Sequence, residues 1–162
     1  IDAVEYYATD IWPAVKAALP DAETFIVGGR MPQKFKKWGE EQGLTMVGFA
    51  EELGPYYASC RLAIAPLRYG AGVKGKVNQA LSYGLPVVGS PSALEGMGLE
   101  HGRDAMLATA PEAFAEAVCA VYGDQQLWER LSVHGLASLE GRFTTDVAKQ
   151  ALLAALSPVQ AK

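Results

Sequence analysis

The stretch RYGAGVKGKVNQALSYGLPVVG, residues Arg68 to Gly89, decides how this chain reads. An apolar run from Leu62 to Leu67 leads into it. Inside it lie a turn with Gly70, Gly72 and Gly75, an amphipathic segment from Val73 to Tyr83, and a second apolar run from Leu85 to Val88. Strand, glycine turn, helix, strand is the order of a βαβ unit. Within the segment, Val73, Val77, Ala80 and Leu81 share the face expected to be buried. Lys76, Gln79 and Tyr83, three and four residues apart, share the other.

The same stretch sits in a charge anomaly. From Leu53 to Leu94 there is no Asp or Glu, while Arg61, Arg68, Lys74 and Lys76 are present. The whole chain carries a net charge of -4, so the remainder nets -8 once these four positive charges are subtracted. A positive island with glycines at a helix N-terminus is suited to a phosphate. The first amides of a helix lack helical partners, the helix dipole is positive there, and glycine admits close approach.

Working outward, the chain alternates short apolar runs with helical patterns. The spacing predicts a helix over residues 3–19, with Val4, Tyr7, Ile11, Val15 and Leu19 on one face and a kink or break at Pro13, where Asp10 would cap a second piece. Strands are expected at 24–27, 45–47, 62–65, 86–88 and 105–108. Helices are expected at 33–42, ended by Gly43, at 52–58, and at 111–122 with Phe114, Val118, Val121 and Tyr122 inward. Two more follow, at 125–140 with Asp124 as cap, and from Thr144 or Thr145 to about Leu156. Residues 89–104 read as a loop, and Ser157 to Lys162 as a frayed tail. Strands that are apolar rather than alternating, with helices between them, mark an α/β domain with a Rossmann-like parallel sheet covered on both faces. Residues 1–156 make one such domain. Ligands of such sheets sit at the carboxyl ends of the strands.

Composition narrows the function. Half of the 162 residues are apolar and a fifth charged, which suits a soluble globular domain. Cys60 and Cys119, and His101 and His134, follow no metal spacing, so no metal is expected, and a reducing cytoplasmic setting is the simpler reading. An acidic chain argues against nucleic-acid binding. Gly70, four residues, then Gly75-Lys76 imitates a phosphate-binding P-loop, but Val77 stands where Ser or Thr must hold magnesium. Each candidate also has a plainer reading: solvated lysines in a tight connection, an exposed polar face at Gln79, a plain turn at Glu95-Gly96, packing for Tyr56 and Tyr57, a surface His101.

The pattern APLRYGAGVKGKVNQALSYGLPVVGSPSALEGM resembles the donor-binding half of GT-B glycosyltransferases of the retaining family-4 type, the glycosyl transferases group 1. FIVGG, MVGFAEELGPYYASCRLAIAPLR and DAMLATAPEAFAEAVCAVYGDQQLWERL support it, so that the resemblance spans nearly the whole chain. It implies the carboxyl-terminal domain of a two-domain enzyme that binds a nucleoside diphosphate sugar. The first strand and an amino-terminal acceptor domain would then be missing, and the fragment alone inactive. It implies further that Lys76 and Arg68 stabilise the leaving phosphate beside Tyr69, Gly70, Gly72 and Val73. Gln79 would hold the ribose, Gly48, Phe49 and Ala50 would lie beside the base, and Glu95 and Gly96 would line the donor pocket. The family's paired glutamates fall on Ala71 and Gln79, both replaced. No cofactor or metal is implied. Polysaccharide assembly in the cytoplasm, with peripheral contact at the inner membrane face by the full-length protein, is the expected setting. A non-catalytic nucleotide-binding module and half of a GT-B epimerase stay open as alternatives.

Overall fold

The first helix shows how a local sequence conflict is resolved. In the computed structural model, which describes residues 1–156, α1 (Asp2–Tyr6) passes through a π-helical turn (Tyr7–Ile11) into α2 (Trp12–Ala18). Pro13 has no N–H to give the ladder, and the widened turn just before it absorbs the loss. The helix therefore neither breaks nor is capped by Asp10, whose carboxylate instead accepts from the Thr9 hydroxyl at 3.2 Å. Tyr7, Ile11, Trp12 and Val15 are buried along one face, as the spacing requires.

β1 (Phe25–Val27) and β2 (Thr45–Gly48) pair in parallel, joined by α3 (Gln33–Glu41). α3 is charged outside and closes on Gly43 at φ 79°. Its Gly39 lets the Met46 side chain approach so near that a Cβ there would lie 2.4 Å from Sδ. α4 (Gly54–Ser59) leads to a second parallel ladder of β3 (Ala63–Ala65), β4 (Val87–Gly89) and β5 (Met106–Leu107). α5 (Gly75–Ser82) connects β3 to β4, and α6 (Pro91–Leu94) follows β4. α7 (Pro111–Gly123), α8 (Gln125–Glu140) and α9 (Thr145–Leu156) complete the chain. The α/β architecture and the parallel direction agree with the sequence. The sheet is in two parts, for no pairing joins β1 to β3 among the described residues.

β4 is buried on both faces. Val88 joins a cluster with Tyr7, Ile11, Phe114 and Val118, while its neighbour Val87 joins Val77, Leu81 and Met97 on the opposite side. A central strand clad by helices must read as a continuous apolar run, which Leu85 to Val88 does. α8 reaches α5 through Gly135, where a Cβ would meet Leu81 Cδ2 at 2.8 Å and the Asp104 carbonyl oxygen at 2.9 Å.

Several boundaries move. α5 starts at Gly75, because Lys74 is extended (φ −91°, ψ 97°), and Val73 lies 49% exposed in the loop instead of on the buried face. Tyr122 is 38% exposed, at the end of α7, while Phe114, Val118 and Val121 point inward as expected. α6 appears inside the stretch read as loop, started by Ser90 and Pro91. Asp124 caps α8 by accepting from the Leu127 N–H at 3.0 Å, and Thr144 accepts from the Val147 N–H at 3.3 Å. The expected frayed tail lies outside the described residues.

Two stability measurements check this packing. Gly135→Ala should lower the unfolding free energy in urea by about 1–3 kcal/mol, because a backbone oxygen cannot yield. Gly123→Ala, with open space around it, should stay within about 1 kcal/mol of the parent. Burial pushes the Tyr7 phenol from its ordinary 10.0 up to about 12, against a hydrogen bond with Thr24 at 3.2 Å. The unfolded chain then loses this proton first, so stability should be intact below about pH 10 and fall as pH rises toward 12. Tyr7→Phe should flatten that alkaline slope in urea titrations at each pH.

Candidate functional site

The site forms where β3 and β4 end. Beyond β3 the chain passes Pro66 and Leu67 and enters the loop that carries Arg68, Gly70, Gly72 and Lys74. Two serines after β4 tie this loop down. The Ser90 hydroxyl donates to the Leu67 carbonyl and accepts from the Ala93 N–H at 3.3 Å, so one side chain both caps α6 and anchors the loop. The Ser92 hydroxyl donates to the Arg68 carbonyl at 3.3 Å. Sequence reading passed over both serines. The only local signal was Ser90-Pro91, a helix start of four residues hidden in a glycine-rich loop.

Gly70 at φ 145° and Gly72 at φ 73° turn the loop through backbone conformations that side chains resist. Lys74 folds back, its ammonium donating to the Gly72 carbonyl at 2.6 Å. α5 then starts with no side-chain cap, and the Val77 and Asn78 amides are taken by the Lys74 carbonyl. The amides of Gly75 and Lys76 therefore stand at the positive end of the helix. The helix thus starts two residues later than the amphipathic pattern from Val73 placed it, and Gly72 and Val73 lie in the loop before it.

Arg68 is engaged. Its Nε donates to Asp2 Oδ2 at 3.1 Å, its Nη2 to Oδ1, and its guanidinium lies over the Tyr6 ring at 5.3 Å. The guanidinium holds the Asp2 carboxyl below the usual carboxylate range. An acid thus enters the basic island from sixty-six residues away. Lys76 is exposed and takes part in none of the ion pairs among the described residues. One turn on, Gln79 Oε1 accepts from the Tyr57 hydroxyl at 3.5 Å, and Tyr57 stacks on Tyr83 with ring centroids 4.9 Å apart. Tyr57, read from sequence as packing, therefore also orients Gln79. Burial pushes its phenol up.

Lys74, Lys76 and Gln79 line one groove of about 850 Å³ with the edges of β1 and β3. Glu95 faces a second cavity of about 390 Å³ beside His101. His101, exposed as read from the sequence, accepts the Leu107 N–H on Nδ1 at 2.9 Å. Arg68, Tyr69, Gly70, Gly72, Val73 and Gly96 line neither cavity, and Tyr69 is 70% exposed. Gly48, at φ 82°, ends β2 and accepts the Gly28 N–H at 2.7 Å. Phe49 stands 76% exposed near Gly29, and Ala50 follows, half-buried. Gly48, Phe49 and Ala50 also line neither cavity. No group of three or more His, Cys, Asp or Glu side chains gathers among the described residues, and no helix among them is long and apolar enough to cross a membrane.

Residues 1–124 match the model of the family "Glycosyl transferases group 1", and the chain belongs to that family. No curated protein matches it significantly. Solved structures share the fold. Anabaena HepE in complex with UDP is similar at 20% identity and a TM-score of 0.76, covering 91% of this chain and 45% of its own. The pneumococcal O-GlcNAc transferase GtfA, in complex with UDP and GlcNAc, is similar at 18% identity and 0.72, covering 96% and 33%. The C-terminal domain of a glycosyl transferase group 1 protein (LpcC) from Francisella tularensis is similar at 14% identity and 0.66, covering 88% and 77%. The chain spans under half the length of the first solved structures that it matches.

Ser90→Ala should lower stability in urea by about 1–2 kcal/mol, since it removes a helix cap and leaves the Leu67 carbonyl without its donor. Ser92→Ala, at a longer and more exposed bond, should cost less than half of that.

Proposed function

We propose that this domain binds the nucleoside diphosphate sugar of a retaining glycosyltransferase, with the acceptor held by a second domain of a longer chain. One observation supports this reading above the rest. The start of α5 carries no side-chain cap, so the Gly75 and Lys76 amides stand at its positive end, and Lys74 and Lys76, the latter in none of the ion pairs among the described residues, line the groove between β1 and β3. Fixed N–H dipoles at a helix start, with a lysine on its first turn, can stabilise the charge that grows on a departing phosphate, and need no reorganisation to do so. Magnesium would then be dispensable.

Gln79, steadied by Tyr57, is the residue for a ribose hydroxyl, because its amide both donates and accepts. Gly48, Phe49 and Ala50 flank the base in this reading, and Glu95 with Gly96 closes the sugar side. Arg68 acts through position, for its charge is already shared with Asp2. Ala71 offers no carboxylate toward the sugar. The family and the UDP seen in two similar structures make UDP the first nucleotide to test. Assembly of a glycan at the cytoplasmic face of a membrane is the setting that the family suggests.

Calorimetric titration with UDP, GDP, ADP and CMP, with and without magnesium, tests the assignment on the full-length protein. Saturable binding of one diphosphate is expected, unchanged by magnesium, and at least threefold weaker in Lys76→Ala. Lys36→Ala, on the remote α3, should bind like the parent. Equal binding by parent and Lys76→Ala would overturn the phosphate assignment. Diphosphate binding without transfer or hydrolysis of any sugar donor would favour a non-catalytic module, in keeping with Ala71.

A further inference from the structure

α8 lies on α5 in an antiparallel register that two contacts mark. The Ser132 hydroxyl donates to the Gly84 carbonyl, just past the end of α5, at 2.6 Å. One turn on, Gly135 comes so near Leu81 that a Cβ there would stand 2.8 Å from Leu81 Cδ2. From the first contact to the second, α8 advances three residues and α5 retreats three, so the next pair in the row is Ser138 with Asn78. Gly135 also touches the turn before β5, since the same Cβ would stand 2.9 Å from the Asp104 carbonyl oxygen. Asn78, Ser138 and Asp104 therefore gather within about one helical turn of the Gly135 contact, from three separate segments.

These residues share a deficit. Among the described residues, the buried side-chain polar atoms without a hydrogen-bond partner are Asn78 Oδ1, Asp104 Oδ1 and Ser138 Oγ. Asp104 is only 2% exposed. Its Oδ2 accepts the Glu100 N–H at 2.9 Å, but Arg103 Nε stays 3.8 Å from Oδ1, too far for a hydrogen bond. The surroundings are apolar, for Val77, Leu81, Met97, Ala105 and Leu139 pack in one cluster. Polar atoms left unpaired in such a place are costly. Counting protons shows what is needed. An amide oxygen and a carboxylate oxygen only accept, and a serine hydroxyl carries one proton. The three oxygens cannot satisfy one another, because whichever acceptor Ser138 serves, the other still lacks a donor.

We propose that Asn78, Asp104 and Ser138 bind one buried water molecule, which joins α5, α8 and the turn before β5. Its two protons go to Asn78 Oδ1 and Asp104 Oδ1, and its oxygen accepts from the Ser138 hydroxyl, so one molecule satisfies every group. Three hydrogen bonds are the usual number for a buried water, whereas calcium takes about six to eight oxygen ligands. The water completes a row of fastenings along α8. Ser132 holds the far end of α5, the water holds it at Asn78, and Arg142 holds the loop after α6 by donating to the Met97 carbonyl at 2.9 Å. The helix that carries Lys76 and Gln79 is thus fixed from its buried side, whatever the groove on its other side binds.

A crystal structure of the full-length protein, fine enough to show ordered water, tests this directly. One water is expected within hydrogen-bond distance of Asn78 Oδ1, Asp104 Oδ1 and Ser138 Oγ. Unfolding in urea tests whether the water is shared. Asn78→Ala and Ser138→Ala should each raise the unfolding equilibrium constant about threefold or more, even though alanine favours a helix. The double variant should raise it by less than the product of the two, because both changes strand the same molecule. An Asn78 amide lying directly against Asp104 or Ser138, with no water between, would overturn the proposal. So would a metal ion at that place, or single effects that simply multiply in the double variant.

Discussion

The contact between the first helix and α7 holds the two halves of this domain together. Tyr7, Ile11 and Val15 meet Phe114, Val118 and Val121 in one buried cluster, and that cluster includes Met46 of β2 and Val88 of β4. The strands are two to four residues long and share no ladder across the middle. Backbone pairing alone cannot keep such short ladders in register, so helix burial must. The π-helical turn belongs to this constraint, since it keeps the helix continuous past Pro13 while Tyr7, Ile11 and Trp12 stay buried.

The site depends on the same frame. β3 and β4 bring the loop at 66–74 and α6 to one end of the sheet, and Ser90 and Ser92 fasten one to the other. Of the basic side chains there, Arg68 is paired with Asp2 and Lys74 is bonded to its own loop, which leaves Lys76 as the exposed charge at the start of α5. Three cations that look alike in sequence are thus divided into a brace for α1, a brace for the loop, and an exposed charge at the helix start.

Much of this was legible beforehand. The order of strands and helices, their parallel direction and the buried faces of α5 and α7 follow from apolar spacing, because periods of burial are local properties of the chain. The errors have local causes as well. Val73 looked helical because it falls in phase with Val77, yet Gly72 and Lys74 adopt backbone angles that delay the helix to Gly75. α6 escaped notice because four residues show no period. Tyr57 looked like packing because its partner, Gln79, lies twenty-two residues on.

By itself the sequence determined the α/β class, the glycine turn at Gly70 to Gly75 and the resemblance to group 1 glycosyl transferases, since each rests on residues close together in the chain. Only the tertiary structure decided which charges stay free and which edges stay open. Asp2 reaches Arg68 and Tyr57 reaches Gln79, and the chain closes each of these distances only when the helices pack.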